Sequence, residues 1–548
     1  MKYIELVKIY EELEETSGRL DKVEILSKFL KKTKDLEDVV HLLQGRVFSR
    51  LDERKIGMSS RLVLKVISKV VGVKVSEVEK KWREVGDLGK VVEELKKKQS
   101  VLAFNDLTVK KVVDNLRKLS ELEGKGSISR KIGLVVELLN NSKEGEGKFI
   151  VRTVLEDLRI GVAEGVLRDS ISKAFDVDVE EVERAYNVLV DYGEVSEVAK
   201  EGKISKVKIK IGKPLKVMLA VLVKNVKEAF ESVGKPALFE EKIDGFRVQV
   251  HKSKEVKLFT RRMEDVSKQF PDVIEVVKKN VKGNCILDCE IVGIDKGKHL
   301  PFQKISQRIK RKYDIEEMSK KFPVELNVFD VMFYEKSLID EKLKDRRKVM
   351  KKLVKEEKGK IVLVKSLESK NVKESVKFFD KSIKNGLEGL MIKNLDSKYK
   401  AGRYVNGWVK LKEVLEPLDL VVVGAEYGKG KRSGWLSSFD LACRDGDEFL
   451  EIGKVGTGIK EKSEGVTFEE LTKKLKKLIV EEKGRNVKVK PELVLEINYE
   501  EIQKSSNYGS GYGLRFPRVI RIRDEKDVSE INTLVDVENI YRKQKGGK

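Results

Sequence analysis

The chain is poor in the residues that build redox frameworks and metal clusters. Only Cys285, Cys289 and Cys443 occur among 548 residues, and no two form a Cys-x-x-Cys pair. That argues against a disulfide scaffold and a structural zinc cluster, and fits a reducing compartment. The histidines His41, His251 and His299 are too scattered for a zinc or triad motif. No apolar run approaches the ~20 residues of a membrane span, and the N-terminus lacks a signal-peptide core. A cytoplasmic protein with no membrane partner is expected. Proline is the most telling absence: all eight lie at or after Pro214. A long proline-free stretch with 3.6-residue periodicity reads as helical.

Charge is abundant. Charged residues make up 38% of the chain and the formal net charge is +23. Such an excess points to polyanions, with nucleic acid first and an anionic membrane surface second. The charges are interspersed, so most belong to solvated faces. Their density also suits a heat-adapted protein with ion-pair networks.

Three regions are expected from texture. Residues 1–213 form an all-α domain, with apolar stripes at Ile128, Ile132, Val135, Val136 and Leu139 and at Val151, Val154, Leu155 and Leu158. Breaks fall near Gly124-Lys125-Gly126 and from Asn140 to Gly147. Residues 214–416 alternate short apolar runs with turns, an α+β pattern. Strands are expected at 246–250, 256–260, 286–292, 325–333, 390–393 and 408–411, with helices at 271–280 and 341–357. Residues 417–548 read almost entirely as strands, with one helix near 467–482, and suit a small β-barrel such as the OB fold.

The densest chemistry runs from Glu240 to Val250. Acids flank Lys242, the chain turns at Asp244-Gly245, and Phe246, Val248 and Val250 then alternate with Arg247 and Gln249. A lysine attacks only as the neutral amine, so nearby cations and partial burial would be needed to depress its pKa. A lone Lys-x-Asp-Gly carries little information in a lysine-rich chain. Further pieces follow in order. Asp288 and Glu290 share a face of an apolar strand, where a carboxylate is costly unless paired or metal-bound. Phe329-Asp330 offers a ring for stacking or for core. Glu388-Gly389 precedes a strand that ends at Lys393. Lys410 and Lys412 share a strand face, where they repel unless an anion lies between them. As edge-strand lysines they would instead guard against aggregation.

Taken in order, Lys242-x-Asp244-Gly245-x-Arg247, Glu290, Phe329-Asp330, Glu388-Gly389-x-x-x-Lys393 and Lys410-x-Lys412 resemble the motifs of covalent nucleotidyltransferases. Leu514-Arg515-Phe516-Pro517-Arg518-Val519-Ile520-Arg521 resembles the C-terminal motif of ATP-dependent DNA ligases. Thr260 to Val266 and Leu158 to Gly165 are similar to the archaeal and eukaryotic replicative branch. The resemblance spans essentially the whole chain.

It implies Lys242 as nucleophile and ATP with Mg²⁺, or Mn²⁺ in its place, as cofactors. Glu240, Arg247, Arg262, Glu290, Phe329, Arg403, Lys410 and Lys412 would bind the nucleotide. Glu290 and Glu388 would hold the metal. Asp244, Gly245, Lys393, Arg515 and Arg518 would complete the site. It further implies a monomer at the nucleoid that acts on nicked double-stranded DNA in replication, repair and recombination. Gln99 to Phe104 loosely resembles the peptide that sliding clamps bind, and otherwise reads as a loop entering the next helix. The alternatives are an mRNA capping guanylyltransferase, an RNA ligase, or a non-catalytic OB-containing nucleic-acid-binding protein. The long helical region and the Arg-Phe-Pro-Arg motif argue against the first two.

Overall fold

The computed structural model describes all residues except 97–105, 296, 301–304, 306–307, 310–312, 405, 414, 429–431, 433, 462–464 and 545–548. The segment Gln99 to Phe104 therefore lies outside the described residues. The chain forms two compact units. The first comprises Met1–Val221, Lys227–Lys370 and Met391–Val409; the second comprises Leu222–Val226, Asn371–Leu390 and Lys410–Lys548.

In the first unit, twelve α-helices lie between Tyr3 and Lys200 among the described residues. Their inward faces share one apolar core that includes Tyr10, Ile132, Val135, Leu139, Phe149 and Val154. Ile128, assigned to the same stripe by spacing, is 56% exposed. It sits in the first turn of Ser127–Asn140, where the helix has only begun to meet its neighbours. The joint from Leu158 to Gly165 separates helix Glu146–Val154 from helix Glu164–Phe175. Arg159 and Gly161 adopt positive φ there, and Lys22 Nζ donates to the Ile160 carbonyl at 2.6 Å.

Residues 207–217 then run between the helices and the central sheet and are bonded to both. Lys216 N–H donates to the Asn187 carbonyl at 3.0 Å. The Gln249 amide pairs with both backbone groups of Leu215, and Gly212 N–H donates to His251 Nδ1 at 3.0 Å.

The central sheet runs in the order Ile361–Leu363, Val324–Tyr334, Cys285–Asp295, Phe246–Lys252, Val256–Thr260. The first pair is parallel and the others are antiparallel. The β-branched and aromatic runs of these segments favour strands, and their alternation buries Val248, Val250, Leu287, Cys289, Leu326 and Val328 in one core. The lysine strand, Ala237–Lys242, pairs antiparallel with Ser366–Ser369, with Glu240 opposite Ser366. Helix Pro271–Asn280 starts on its proline, as the fixed φ of that residue favours. The helix expected over 341–357 is shorter, Leu343–Leu353.

The second unit carries the long antiparallel strands Leu418–Tyr427, Leu436–Asp445 and Glu448–Val455 in consecutive pairing. Leu418–Tyr427 branches, pairing also with Asn486–Val489 and Val494–Asn498. The described pairings form an open, branched sheet without a closing pair. The expected helix over 467–482 is corrected: it spans Phe468–Lys476, and Ile479–Lys483 is a strand. Gly484, at φ 66°, turns that strand back on Asn486–Val489, a local reversal that outweighs the helical spacing of Leu471, Leu475 and Leu478.

Candidate nucleotidyl-transfer site

Lys242 closes the lysine strand and is half-buried. Side chains alternate along a strand, so Leu238, Glu240 and Lys242 share one face. Leu238 on that face packs with Leu343 and Leu395. Glu240 is 1% exposed, and both of its oxygens are engaged. Arg347 binds Oε1, and Lys393 Nζ lies 2.5 Å from Oε2. Arg347 also donates to Ser366 Oγ at 3.0 Å, across the strand pair. A buried carboxylate needs such partners, because its desolvation cost is otherwise unmet.

The turn after Lys242 is seated on the acidic strand, Cys285–Asp295. A Cβ on Gly245 would lie 2.2 Å from the Ile291 carbonyl oxygen and 3.0 Å from Glu290 Cγ. Only glycine permits that approach. In register, Arg247 lies opposite Glu290 and Gln249 opposite Asp288.

The Arg247 guanidinium forks onto Asp288, at 2.8 and 2.5 Å, and donates to the Met218 carbonyl at 2.6 Å. Tyr399 donates its hydroxyl to Asp288 at 2.7 Å and lies 3.2 Å from Arg247. Burial alone would lower the Arg247 pKa; Asp288, Tyr399 and Glu290 more than offset this and hold it above the ordinary value. Asp288 thus meets its burial cost by pairing, which was one of the two outcomes open for a carboxylate on this strand.

Phe329 is half-buried on strand Val324–Tyr334. Lys393 Nζ lies 4.7 Å and Arg247 Cζ 5.4 Å from its ring centroid. Trp408 meets Phe329 edge-on at 6.1 Å and carries the same two cations at 4.2 and 5.5 Å. Burial lowers the Lys393 pKa, against the opposing pull of Glu240 and Asp330. Next to Phe329, Asp330 is fully buried and forked by Arg346 at 2.8 and 2.8 Å. Burial would raise the Asp330 pKa, but Arg346 outweighs it and holds it low.

In the second unit, Lys412 binds both Glu388 and Glu500, the latter at 2.7 Å. Burial would lower the Lys412 pKa, yet these two acids raise it above its ordinary value. Gly389, at φ 140°, is pressed to the Leu411 backbone, where a Cβ would lie 2.1 Å from the carbonyl oxygen. Lys410 is half-buried. Arg515 binds Glu501 at 3.2 Å, Arg518 is exposed, and Phe516 between them is 66% exposed. Arg262 is exposed after strand Val256–Thr260, its N–H donating to Thr260 Oγ1 at 3.2 Å. Arg403 ends the two-residue strand Gly402–Arg403, paired parallel with Met218–Leu219.

Asp244 is half-buried in the turn between Lys242 and Gly245. The structure thus brings Glu240, Arg247, Phe329 and Lys393 into one cluster and seats Gly245 on Glu290. Sequence reasoning missed Arg346, Arg347, Tyr399, Trp408 and Glu500 as partners. A signal existed for the arginines. They stand three and four residues after Leu343, on the stripe continued by Met350 and Leu353, amid lysines that tolerate burial less well. Tyr399 and Glu500 reach their partners only through tertiary folding and had no such signal.

Among the described residues, no group of three or more His, Cys, Asp or Glu side chains is gathered to hold a metal ion, and no helix is long and apolar enough to cross a membrane.

Three family models match the chain: "DNA ligase N terminus" over residues 2–172, "ATP dependent DNA ligase domain" over 217–412 and "ATP dependent DNA ligase C terminal region" over 432–526. A DNA ligase of Nanoarchaeum equitans is 47% identical over 563 residues, covering 100% of this chain and 99% of that protein. A DNA ligase of Archaeoglobus fulgidus is 42% identical, covering 99% of each. A solved structure described as "Pmar-Lig_Pre" is 19% identical, with a TM-score of 0.62 and coverage of 94% and 99%; at that identity it speaks to the fold. Full-length identity at this level, with all three regions matched in order, means that the chain belongs to the ATP-dependent DNA ligase family.

Proposed function

We propose that the chain seals nicks in duplex DNA with ATP through a covalent adenylate on Lys242. Family membership supports the reaction. One observation supports the choice of lysine: Glu240, on the same strand face, is fixed by Arg347 and Lys393, while the following turn is seated through Gly245 on Glu290 and Ile291. A nucleophile on a strand braced at both ends is held in place for in-line attack, and positioning is the larger part of such chemistry.

The Lys242 amine attacks the α-phosphorus of ATP, the bond to the bridging oxygen of pyrophosphate breaks, and the amine sheds a proton. The 5′-phosphate at a nick then attacks the same phosphorus and Lys242 leaves, regaining a proton. Finally the 3′-hydroxyl attacks the 5′-phosphorus, loses its proton, and AMP departs. Phe329 serves as the base platform. Arg247, Arg262, Arg403 and Glu290 contact ribose and phosphate, and Asp244 with Gly245 forms the turn that presents the amine. Lys410 and Lys412 neutralise the α-phosphate and pyrophosphate, with Lys412 exchanging Glu388 and Glu500 for phosphate oxygens. Arg515 and Arg518 orient the pyrophosphate.

Glu290 and Glu388 are hard oxygen donors. Mg²⁺ takes one or two such carboxylates and fills its shell with water and phosphate, so either side chain suits a metal carried in with the triphosphate. Mg²⁺, or Mn²⁺ in its place, would supply charge neutralisation on the phosphates.

The chain divides at 1–213, 214–416 and 417–548, the last part being an OB-type domain. The protein acts as a monomer whose basic surface grips DNA phosphates without base readout. A capping or RNA-ligating activity is not favoured, since all three family matches are to DNA ligase models. Incubation with α-labelled ATP and Mg²⁺ tests the proposal. The wild type is expected to take a covalent label, and Lys242→Ala to lose both label and sealing of unadenylated nicks. Label retained by that variant overturns the assignment, and preference for GTP would favour capping.

A further inference from the structure

Helix Leu343–Leu353 presents two consecutive arginines to two different strands. Arg346, fully buried, forks Asp330 and donates to the Glu341 carbonyl at 2.8 Å and the Ser397 carbonyl at 3.2 Å. Asp330 directly follows Phe329. Arg347 binds Glu240 and Ser366, and Glu240 is two residues before Lys242 on the same strand face. One rigid helix thus ties the strand carrying the aromatic platform to the strand carrying the amine. Neighbouring residues on a helix have a fixed offset, so the pair sets the spacing between those strands.

The Glu240 carboxylate is also held from both sides. Arg347 takes one oxygen and Lys393 the other, in a site sealed from solvent. Each oxygen holds one cation and keeps a further acceptor position, so the two cations fix the carboxylate's orientation without exhausting it. Its negative charge also secures the strand.

We propose that Arg347, with Ser366 and Lys393, is a positioning residue for self-adenylation. Through Glu240 it holds Lys242 at the attack distance from a nucleotide resting on Phe329. The proposal rests on Lys242 as nucleophile. It predicts a step-selective defect: joining a nick already carrying a 5′-adenylate needs the pocket but not attack by Lys242.

The test compares wild type, Arg347→Lys, Arg347→Met and Ser366→Ala as full-length chains. Each is measured for the rate and ATP dependence of lysine labelling, for sealing of a pre-adenylated nick, and for thermal unfolding. Displacing the amine by a fraction of an ångström to 1 Å is expected to slow labelling by Arg347→Met on the order of 10²-fold. Arg347→Lys keeps the charge and loses the fork, and should recover about a tenth of the lost rate or more. Ser366→Ala should slow labelling several-fold, and every variant should seal the pre-adenylated nick within about threefold of wild type, since a merely structural loss would slow both steps alike. Equal loss in both steps, or labelling undisturbed in Arg347→Lys and Ser366→Ala, overturns the proposal. If Arg347→Met fails to fold, those two variants still decide it. If the wild type takes no label on Lys242, the functional reading itself fails.

Discussion

Gly245→Ala is the most searching single substitution. The new Cβ would sit 2.2 Å from the Ile291 carbonyl oxygen, 2.9 Å from its carbon and 3.0 Å from Glu290 Cγ. Real Cβ atoms essentially never come within 3.0 Å, so the clash is 0.8 Å deep. Ile291 belongs to the middle strand of the central sheet, paired on both sides, and cannot yield. The turn must lift instead, carrying Lys242 away from the acidic strand. Gly245 itself is not at positive φ, so the penalty is steric rather than conformational. Overpacking of this kind costs about 1–3 kcal/mol of stability. Moving a nucleophile by nearly 1 Å costs on the order of 10²-fold in rate. Covalent labelling with α-labelled ATP should therefore fall about a hundredfold, whereas chemical unfolding shows a protein still folded. Labelling within about threefold of wild type would mean that the turn does not seat the amine, and the reasoning would fail.

Four further outcomes are expected. Asp330→Ala leaves the fully buried Arg346 without its counter-charge, and breaking such a pair costs about 3–5 kcal/mol, readable as a lower denaturant midpoint. Tyr399→Phe removes the hydroxyl that binds Asp288 and should cost about 1–3 kcal/mol while loosening Arg247, seen as weaker ATP dependence of labelling. Burial lowers the His251 pKa to about 3 from its ordinary 6.5, with Asp265 opposing and Lys257 adding to the effect. The unfolded chain therefore takes up the proton first, so this contribution is complete above about pH 6.5 and is lost as pH falls towards 3. Urea midpoints from pH 7 to 4.5 should fall more steeply in wild type than in His251→Gln. Lastly, if 6–10 phosphates are contacted, binding to nicked duplex should weaken by about 10³–10⁵ between 50 and 200 mM salt; a flat dependence would count against DNA as the partner.

The two kinds of arginine show where sequence reading succeeds. Arg247 was visible because it follows Asp244-Gly245 at a spacing that a motif preserves. Arg347 was overlooked because a helix rich in lysine reads as a solvated face, although its place beside Leu343 and Met350 marked it as inward. The helix expected over 467–482 failed for a related reason. Leucine spacing is local evidence, and the hairpin at Gly484 offered the chain a better set of partners.

By itself, the order of residues determined the helical first part, the strand-rich remainder and the family. These depend on periodicity, on glycines required at close approaches and on motifs read along one chain. The partners of each charge were decided only by the tertiary structure. Glu240 is captured by a helix more than a hundred residues away, Asp288 by Arg247 and Tyr399, and Lys412 by Glu388 and Glu500. Burial raises the cost of an unpaired charge, but it is the packing of distant segments that selects the partner.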